Sequence, residues 1–125
     1  MGAFSDAVWN GWLDALARAA SYSNPAIYVK LHIGDPGAAG TANPAANTTR
    51  QQATFGAASS GRAISNTALV EWTSVPNAET YTHVSLWSAS SAGNYLGSDD
   101  LSSPAAVAVG DAFRIPVGDL DLTGA

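Results

Sequence analysis

The sequence predicts an all-β protein: an antiparallel β-sandwich, jelly-roll-like, preceded by one N-terminal amphipathic α-helix. Three observations predict this fold. Apolar residues follow helical spacing only near the N-terminus, and from Ala26 onward they alternate with polar residues as in strands. Turn-forming Gly, Pro, Asn and Ser then recur at intervals of about 8 to 12 residues, which is typical of sandwiches and barrels. No helical pattern lies between the strands after residue 25, which disfavours a parallel sheet.

The helix is predicted from Phe4 to about Tyr22. Ser5 is suited to cap its N-terminus, and Asp6 places an acidic residue in the first turn. Asn24-Pro25 should end it, because proline disfavours helical backbone at the preceding residue and has no amide to donate. Its apolar residues at helical spacing are Val8, Trp9, Trp12, Leu13, Leu16 and Ala20.

The clearest predicted strand covers residues 27–33 and ends at the turn Gly34-Asp35-Pro36-Gly37. Apolar and polar residues alternate along it, so Tyr28, Lys30 and His32 should lie on one polar face, opposite the apolar face. A long surface loop is predicted over residues 38–48. Further strands are predicted near residues 50–55, 62–65, 68–73, 80–88, 95–100, 107–109, 112–117 and 120–123, with a turn at Ser103-Pro104 between the fifth and the sixth of them.

The apolar residues of these strands predict one core of modest size for two sheets. Its expected members are Ile27, Val29, Leu31, Ile33, Phe55, Leu69 or Val70, Val84, Leu86, Leu96, Phe113, Ile115, Val117, Leu120 and Leu122. A chain of 125 residues has the length of a single domain. We therefore expect residues 1–25 to form the N-terminal helix and linker, and residues 26–125 to form the β-sandwich domain.

The apolar stripe of the predicted helix is a candidate assembly interface. Burying a large apolar side chain contributes about 1.5–3 kcal/mol, so the stripe is expected to cover something. It either packs on its own sandwich or docks on a neighbouring subunit, and the pattern leaves both open. The candidate interface residues are Trp9, Trp12, Leu13 and Leu16.

Charge and composition exclude several classes of function. The formal net charge is −5, and only 12% of the residues are charged, against about 25% in an average domain. The five basic residues are scattered, which disfavours nucleic acid and anionic membranes as partners. The absence of cysteine excludes disulfides and thiolate metal centres, and no cofactor is expected. A weakly charged surface suits coverage by neighbours, although an alanine-rich genome would produce the same composition.

The sequence contains neither a predicted membrane span nor a predicted signal peptide. No stretch reaches the roughly 18 to 20 apolar residues that a span requires. Polar residues at Asp6, Asn10 and Asp14 interrupt the segment that would be apolar in a signal peptide. We therefore expect synthesis in the cytoplasm and no membrane partner.

His32, Asp35 and His83 are one grouping of residues suited to a divalent metal. The two histidines would meet if their strands pair, but the sequence offers no third firm ligand. Both histidines are more simply explained as hydrogen-bonded residues on polar strand faces. No metal site is therefore predicted here.

Two acidic pairs, Asp99-Asp100 and Asp119-x-Asp121, carry the oxygen ligands that calcium prefers. Neither has the glycine-spaced loop of a known calcium site, and charge at turns and strand edges explains them better. Nucleophilic catalysis is not indicated either, because no Gly-x-Ser-x-Gly elbow is present. The sequence does not predict an enzyme.

Three aromatic residues in the later strands, Tyr81, Trp87 and Tyr95, are candidates for a glycan-binding platform, with Trp72 as an addition. Their rings would stack against a sugar. Cross-strand packing is the competing explanation, because aromatic pairs stabilise sheets by some tenths of a kcal/mol to about 1 kcal/mol. Packing is the interpretation that we favour.

Several landmarks follow one another in a distinctive order along the chain. They are YVKLHIGDPG at 28–37, RQQATFGAA at 50–58, SNTA at 65–68, THVSLWSA at 82–89 and Gly110-Asp111 before the last strands. This order resembles a family of small virion proteins of tailed bacteriophages, especially those of actinobacteria, described as tail-fibre-like, minor tail or virion structural proteins. The resemblance runs from the N-terminal helix to about Thr123.

The resemblance implies a β-rich structural subunit on the exterior of the virion, in the tail or a fibre. Its expected partners are other phage proteins and copies of itself, with a trimer as the first expectation by analogy with fibres. Decoration of the phage capsid is an alternative, and a host-surface glycan-binding module is another. The resemblance carries over no catalytic, cofactor or metal residue.

Overall fold

The computed structural model describes residues 3–19, 26–56 and 63–123. In this part of the chain a single helix is followed by antiparallel strands, which confirms the predicted all-β fold with its N-terminal helix. The elements are β1 (Ala3–Phe4), α1 (Asp6–Arg18), β2 (Ile27–His32), β3 (Gln51–Ala53), β4 (Ala63–Ser65), β5 (Val70–Trp72), β6 (Glu79–Trp87), β7 (Tyr95–Val107), β8 (Phe113–Ile115) and β9 (Asp121–Thr123).

The strands form one large sheet and two small ones. The large sheet has five strands in the order β1-β7-β6-β2-β3, and β4 pairs with β9 and β5 with β8 in two-stranded sheets. Phe113 of β8 packs on Tyr81 of β6, with ring centroids 5.1 Å apart, so it joins the small sheet to the large one. The core lies between these layers, where buried Val29 and Leu86 of the large sheet share one apolar cluster with Ile115. This is the layered packing of a β-sandwich.

Helix α1 is shorter than the sequence predicts. Phe4 belongs to β1, where it pairs with Gly97 of β7, so the helix begins only at Asp6, after the N-cap Ser5. It ends where Ala19 adopts a left-handed backbone with φ 54°, and the expected stop at Asn24-Pro25 lies outside the described residues. No helix in the described ranges is long and apolar enough to cross a membrane.

The N-terminal segment is fastened to the sandwich. Ser5 donates its hydroxyl to the Tyr95 carbonyl oxygen at 2.9 Å, and its backbone amide donates to the Leu96 carbonyl oxygen at 2.7 Å. Val8 of α1 is 4% exposed and belongs to the apolar core. Residues 3–8 therefore pack against the β-sandwich, although the sequence analysis assigned them to a separate N-terminal segment.

Strand β7 corrects the sequence prediction of two strands separated by a turn at Ser103-Pro104. The strand runs without interruption from Tyr95 to Val107, but its pairing with β6 is irregular. Residues 101–104 lie opposite Thr82 alone, so β7 carries a bulge of four residues against one. Proline is tolerated in such a bulge because no ladder hydrogen bond is required from its nitrogen.

The predicted core is confirmed at most positions and wrong at two. Ile33 is 49% exposed because β2 ends at His32, and Val117 is 59% exposed because it lies in a turn. Val70, not Leu69, faces the core. The prediction also omitted four buried residues, Val8, Trp72, Val75 and Tyr81. The predicted core residue Leu122 has a side chain outside the described part of the structure.

Candidate functional site

Helix α1 has an apolar surface wider than the one it buries. Val8 and Trp12 face the sandwich: Val8 is buried and Trp12 packs against the core while half-buried. Leu13 and Leu16, in contrast, are 58% and 85% exposed. With Trp9 they occupy positions i, i+4 and i+7, which form one line along a helix. We call Trp9, Leu13 and Leu16 the helix stripe.

Three aromatic rings hold the helix stripe in place. The Phe4 ring centroid lies 4.8 Å from that of Trp12 and 6.2 Å from that of Trp9, in edge-to-face arrangements. Trp9 and Trp12 also contact each other edge to face, at 5.0 Å. Such pairs contribute about 0.5–1.5 kcal/mol each beyond their buried area. The rings therefore fix α1 against β1, and the predicted interface residues Trp9 and Trp12 have a role within the subunit.

Of the four residues predicted for assembly, Leu13 and Leu16 have the exposure that a docking surface requires. An ion pair on the same helix joins Asp14 to Arg18 at 3.6 Å, and both side chains are more than half exposed. An exposed pair of this kind contributes little stability. The stripe itself consists of uncharged residues and leaves apolar surface facing solvent.

The structure brings together two of the three aromatic residues predicted for glycan binding. Trp87 and Tyr95 lie side by side, with ring centroids 5.5 Å apart. Tyr81 is fully buried against Phe113, and this burial raises the pKa of Tyr81. A ring inside the core cannot stack on a sugar, so Tyr81 is removed from the predicted platform. Trp72 is also buried and donates its indole N–H to the Thr49 carbonyl oxygen at 2.8 Å.

Arg50 covers Trp87 in a way that the sequence did not indicate. Its guanidinium carbon lies 4.5 Å from the centre of the Trp87 ring. Its Nη1 donates to the carbonyl oxygens of Ala89 and Ala92 at 2.9 and 2.8 Å. Trp87 is consequently only 9% exposed. Arg50 thus holds the loop after β6 and covers the Trp87 ring. Tyr95 is the member of the predicted platform that remains partly exposed.

His32 forms a buried hydrogen-bond network with Ser85 and Trp87. Its Nδ1 lies 2.8 Å from the Ala42 carbonyl oxygen, which can only accept, so Nδ1 carries the proton. Its Nε2 then accepts from the Ser85 hydroxyl at 2.7 Å, and the Ser85 oxygen accepts from the Trp87 indole at 2.7 Å. The sequence placed His32 on a polar strand face, and in the structure this face is covered, so that His32 is 0% exposed.

The Ser85 and His32 pair has the spacing of a nucleophile and its base, but it lacks their other requirements. Both residues are fully buried, so a substrate does not reach the hydroxyl. The second imidazole nitrogen is oriented by a backbone carbonyl and not by a carboxylate. The pair is suited to joining β2 to β6, and it supports no catalytic mechanism.

Burial of His32 makes stability depend on pH. Desolvation lowers the pKa of His32 below its ordinary value of 6.5, and the nearby charge of Lys30 lowers it further. The unfolded chain therefore takes up a proton near pH 6.5, whereas the folded chain takes it up only at lower pH. We expect the unfolding free energy to fall as the pH is lowered through about 6.5, by at most about 1.4 kcal/mol per pH unit.

Urea titrations between pH 8 and pH 5 check this expectation. The difference between the wild-type chain and His32→Gln isolates the contribution of His32, because the glutamine side chain does not titrate. Identical pH profiles for the wild-type chain and His32→Gln would contradict the assignment.

The three residues considered as metal ligands do not converge on one point. His32 and His83 are direct neighbours across β2 and β6, as strand pairing would require. Both nitrogens of His32 are hydrogen-bonded, however, and Asp35 Oδ1 accepts from the Gly37 amide at 2.9 Å. Among the described residues no group of three His, Cys, Asp or Glu side chains could hold a metal ion.

Acidic residues line a cleft of about 230 Å³ between the β7 bulge and β8. Asp99, Asp100 and Asp119 contribute to it together with Arg114, which forms an ion pair with Glu71. Asp99 is 5% exposed, and burial raises the pKa of its carboxyl group. The side chain of Asp121, the fourth acidic residue considered for calcium, lies outside the described part.

Comparison with known proteins gives one family. The model of the family "Podophage GP4 fiber I protein gp80" matches residues 3–123, which span all the elements described above. No curated protein matches the chain. The match confirms the resemblance to fibre-like structural proteins of tailed phages that the order of landmarks indicated, and it supports a structural role in the virion. The chain belongs to the podophage GP4 fiber I protein gp80 family.

Proposed function

We propose that the chain is a fibre subunit on the outside of a tailed-phage particle and that it assembles with copies of itself through the helix stripe. One observation carries the proposal: Leu16 is 85% exposed and Leu13 58% exposed on one line of a helix that the sandwich holds rigidly. Apolar side chains of this size are stabilised by about 1.5–3 kcal/mol each when they are buried. A neighbouring subunit that covers them would gain this stabilisation.

Charge favours an apolar contact over a polar one. Each copy carries a formal charge of −5, so identical subunits repel one another at a distance. The contact between them must therefore be short-ranged and free of acidic groups, as the helix stripe is. Homo-oligomers most often close with rotational symmetry, and for a fibre subunit we expect a trimer around the three α1 helices.

The double substitution Leu13→Gln with Leu16→Gln tests the assembly. Glutamine has nearly the helix propensity of leucine, so α1 should remain folded while its apolar surface is lost. Sedimentation equilibrium should give a trimer for the wild-type chain and a monomer for the variant. Leu69→Gln is the matched control, because Leu69 is 48% exposed but lies away from the stripe.

Two results would contradict this proposal. A wild-type chain that remains monomeric at all accessible concentrations would remove self-assembly. A double variant that associates as strongly as the wild-type chain would remove the helix stripe from the interface. Circular dichroism of the variant confirms that any loss of association occurs in a folded subunit.

The position in the particle needs a separate experiment. We propose a place in a fibre, and the family description supports it. Immunogold labelling or a density map of the particle should show the subunit on fibres that project from the tail region. Signal distributed over the head would instead favour the alternative, a capsid decoration protein.

A further inference from the structure

The chain segment 38–43 lies over His32, and we call this segment the lid. The Ala42 carbonyl oxygen accepts from His32 Nδ1 at 2.8 Å, so the lid supplies a hydrogen bond to the imidazole. One residue further on, the Asn43 carbonyl oxygen accepts from the Ile33 amide at 3.0 Å. The lid is thus closed over the end of β2 by one side-chain contact and one backbone contact.

The residues on either side of the lid are anchored in the sandwich. Before the lid, Pro36 is fully buried. After it, Ala45 is buried as part of the apolar core. The Glu79 carboxylate of β6 then accepts from the amides of Ala46 and Asn47 at 2.9 and 3.0 Å. The lid therefore spans the interval between two fixed points.

The lid itself buries almost no apolar surface. Its sequence is AAGTAN, and Gly40, which has no side chain, is its one buried residue. Backbone hydrogen bonds hold it, with the Gly40 amide donating to the Gly37 carbonyl oxygen at 3.1 Å and the Ala42 amide donating to the Pro36 carbonyl oxygen at 2.9 Å. Segments with few buried apolar contacts open at a lower free energy than the core of a protein. The lid should therefore open more readily than the sheet beneath it unfolds.

The closed lid requires a neutral His32. Nδ1 of the ring donates to the lid, and Nε2 accepts from the Ser85 hydroxyl at 2.7 Å. A second proton, on Nε2, would point at the Ser85 oxygen, which already accepts from the Trp87 indole. The Ser85 hydroxyl would then lose the acceptor that His32 provides, inside a site with no exposure to water. A buried donor without its acceptor destabilises the closed arrangement.

The charges around His32 also oppose a second proton. Burial lowers the pKa of His32 most strongly, and the hydrogen bond to the Ala42 carbonyl oxygen offsets this in part. Lys30 on β2 and His83 on β6 are the ionisable groups that act on the ring, and both lower its pKa further. The lid contributes no ionisable side chain. Water that reached the ring through an open lid would solvate the imidazolium and return its pKa towards the ordinary value of 6.5.

We propose that the lid is operated by acid: protonation of His32 releases it from the end of β2 while the sandwich stays folded. Opening withdraws the Ala42 carbonyl oxygen from the ring and admits water to the Ser85 hydroxyl. Gly40 lies against the Tyr95 ring, so an open lid also uncovers that ring. The proposal concerns a single subunit and does not rest on the proposed assembly.

Amide hydrogen exchange of the ¹⁵N-labelled full chain, followed by NMR from pH 8 to pH 5 with and without low urea, tests the proposal. Exchange rates divided by the intrinsic rate at each pH give the ratio of open to closed lid. For the Ile33 and Ala42 amides we expect this ratio to rise by up to about tenfold per pH unit below about pH 6.5. Low urea should barely change it, because opening exposes little surface. Amides of residues 84–87 in the central strand β6 should exchange only by urea-dependent unfolding.

His32→Gln is the matched variant, because glutamine has no proton to gain over this range. Its lid amides should exchange with the same open-to-closed ratio at every pH. A second measurement uses the wild-type chain alone, namely the ¹⁵N shifts of the His32 ring. The closed lid excludes the charged ring, so the ring should titrate at the pH where the Ile33 and Ala42 amides lose their protection.

Four results would overturn the proposal. Lid amides that exchange with the urea dependence of β6 would show that the lid does not open on its own. An open-to-closed ratio independent of pH in the wild-type chain would show that acid does not operate it. PH dependence retained in a folded His32→Gln chain would assign it to another group. Ring titration apart from the loss of amide protection would separate His32 from the lid, whether or not the variant folds.

Discussion

Asn66→Ala is expected to lower the free energy of unfolding by about 3–5 kcal/mol, because it removes all four hydrogen bonds of a buried side chain at once. Asn66 is 1% exposed, and its Nδ2 donates to the carbonyl oxygens of Ala68 and Pro116 at 2.9 and 3.0 Å. Its Oδ1 accepts from the amides of Gly118 and Leu120 at 3.1 and 3.0 Å. One side chain thus holds the turn after β4 against the turn before β9.

Alanine at position 66 would remove the side-chain partner of these backbone groups, and only the Gly118 amide would keep another, the backbone carbonyl oxygen of residue 66 at 3.0 Å. An unsatisfied buried group costs about 1–3 kcal/mol, and a domain of this size has a total stability of about 5–15 kcal/mol. Urea unfolding followed by tryptophan fluorescence measures the loss. Asn77→Ala, at an exposed loop position, is the matched control and should change stability by less than about 0.5 kcal/mol. Equal midpoints for the two variants would show that the Asn66 network contributes little.

Gly40→Ala is expected to destabilise the fold by about 2–5 kcal/mol. Gly40 has φ +74°, where a side chain costs about 1–2 kcal/mol. Its added Cβ would also lie 2.3 Å from Cδ1 of Tyr95, and relieving such a clash costs about 1–3 kcal/mol more.

Gly110→Ala separates the two contributions to the Gly40 effect. Gly110 has φ +88°, but a methyl group added there meets nothing within 4 Å among the described residues. It should therefore show only the backbone cost. The difference between the two unfolding free energies, measured in urea, gives the cost of the clash, and a difference near zero would contradict the close approach of Gly40 to Tyr95.

Strand β2 shows what local pattern predicts and what it does not. Its alternation of apolar and polar residues correctly identified a strand and the buried face with Val29 and Leu31. The same alternation placed His32 on the polar face but did not show that this face is covered, because a pattern reports one strand and not what packs on it. In the structure the loop after β2 folds back, with the Ala45 amide donating to the Leu31 carbonyl oxygen at 3.1 Å, and His32 is enclosed.

The turn signal at Ser103-Pro104 failed for a related reason. Serine and proline are common both in turns and in bulges, and only the partner strand decides between them. Because β6 continues opposite residues 105–107, the chain stays in the sheet past the proline. A prediction from β7 alone does not contain this information.

The candidate site was predictable where it depends on one helix. Helical spacing identified Leu13 and Leu16 as part of an apolar face, although it did not reveal that β1 and the sandwich cover Val8 and Trp12. The groove between β1, the turn after β2 and β7 was not predictable, because its walls come from three distant segments near residues 4–6, 35–38 and 95–98. Only strand order brings them together.

Contact between Ser5 and Tyr95 spans 90 positions of the sequence. During translation β1 and α1 are made long before β7, the strand to which they attach. Their docking therefore has to wait for β7, and a topology with such distant pairings folds slowly. Until β7 arrives, the tryptophan-rich first segment is exposed to other nascent chains, so efficient production of this subunit should depend on keeping that segment shielded during synthesis.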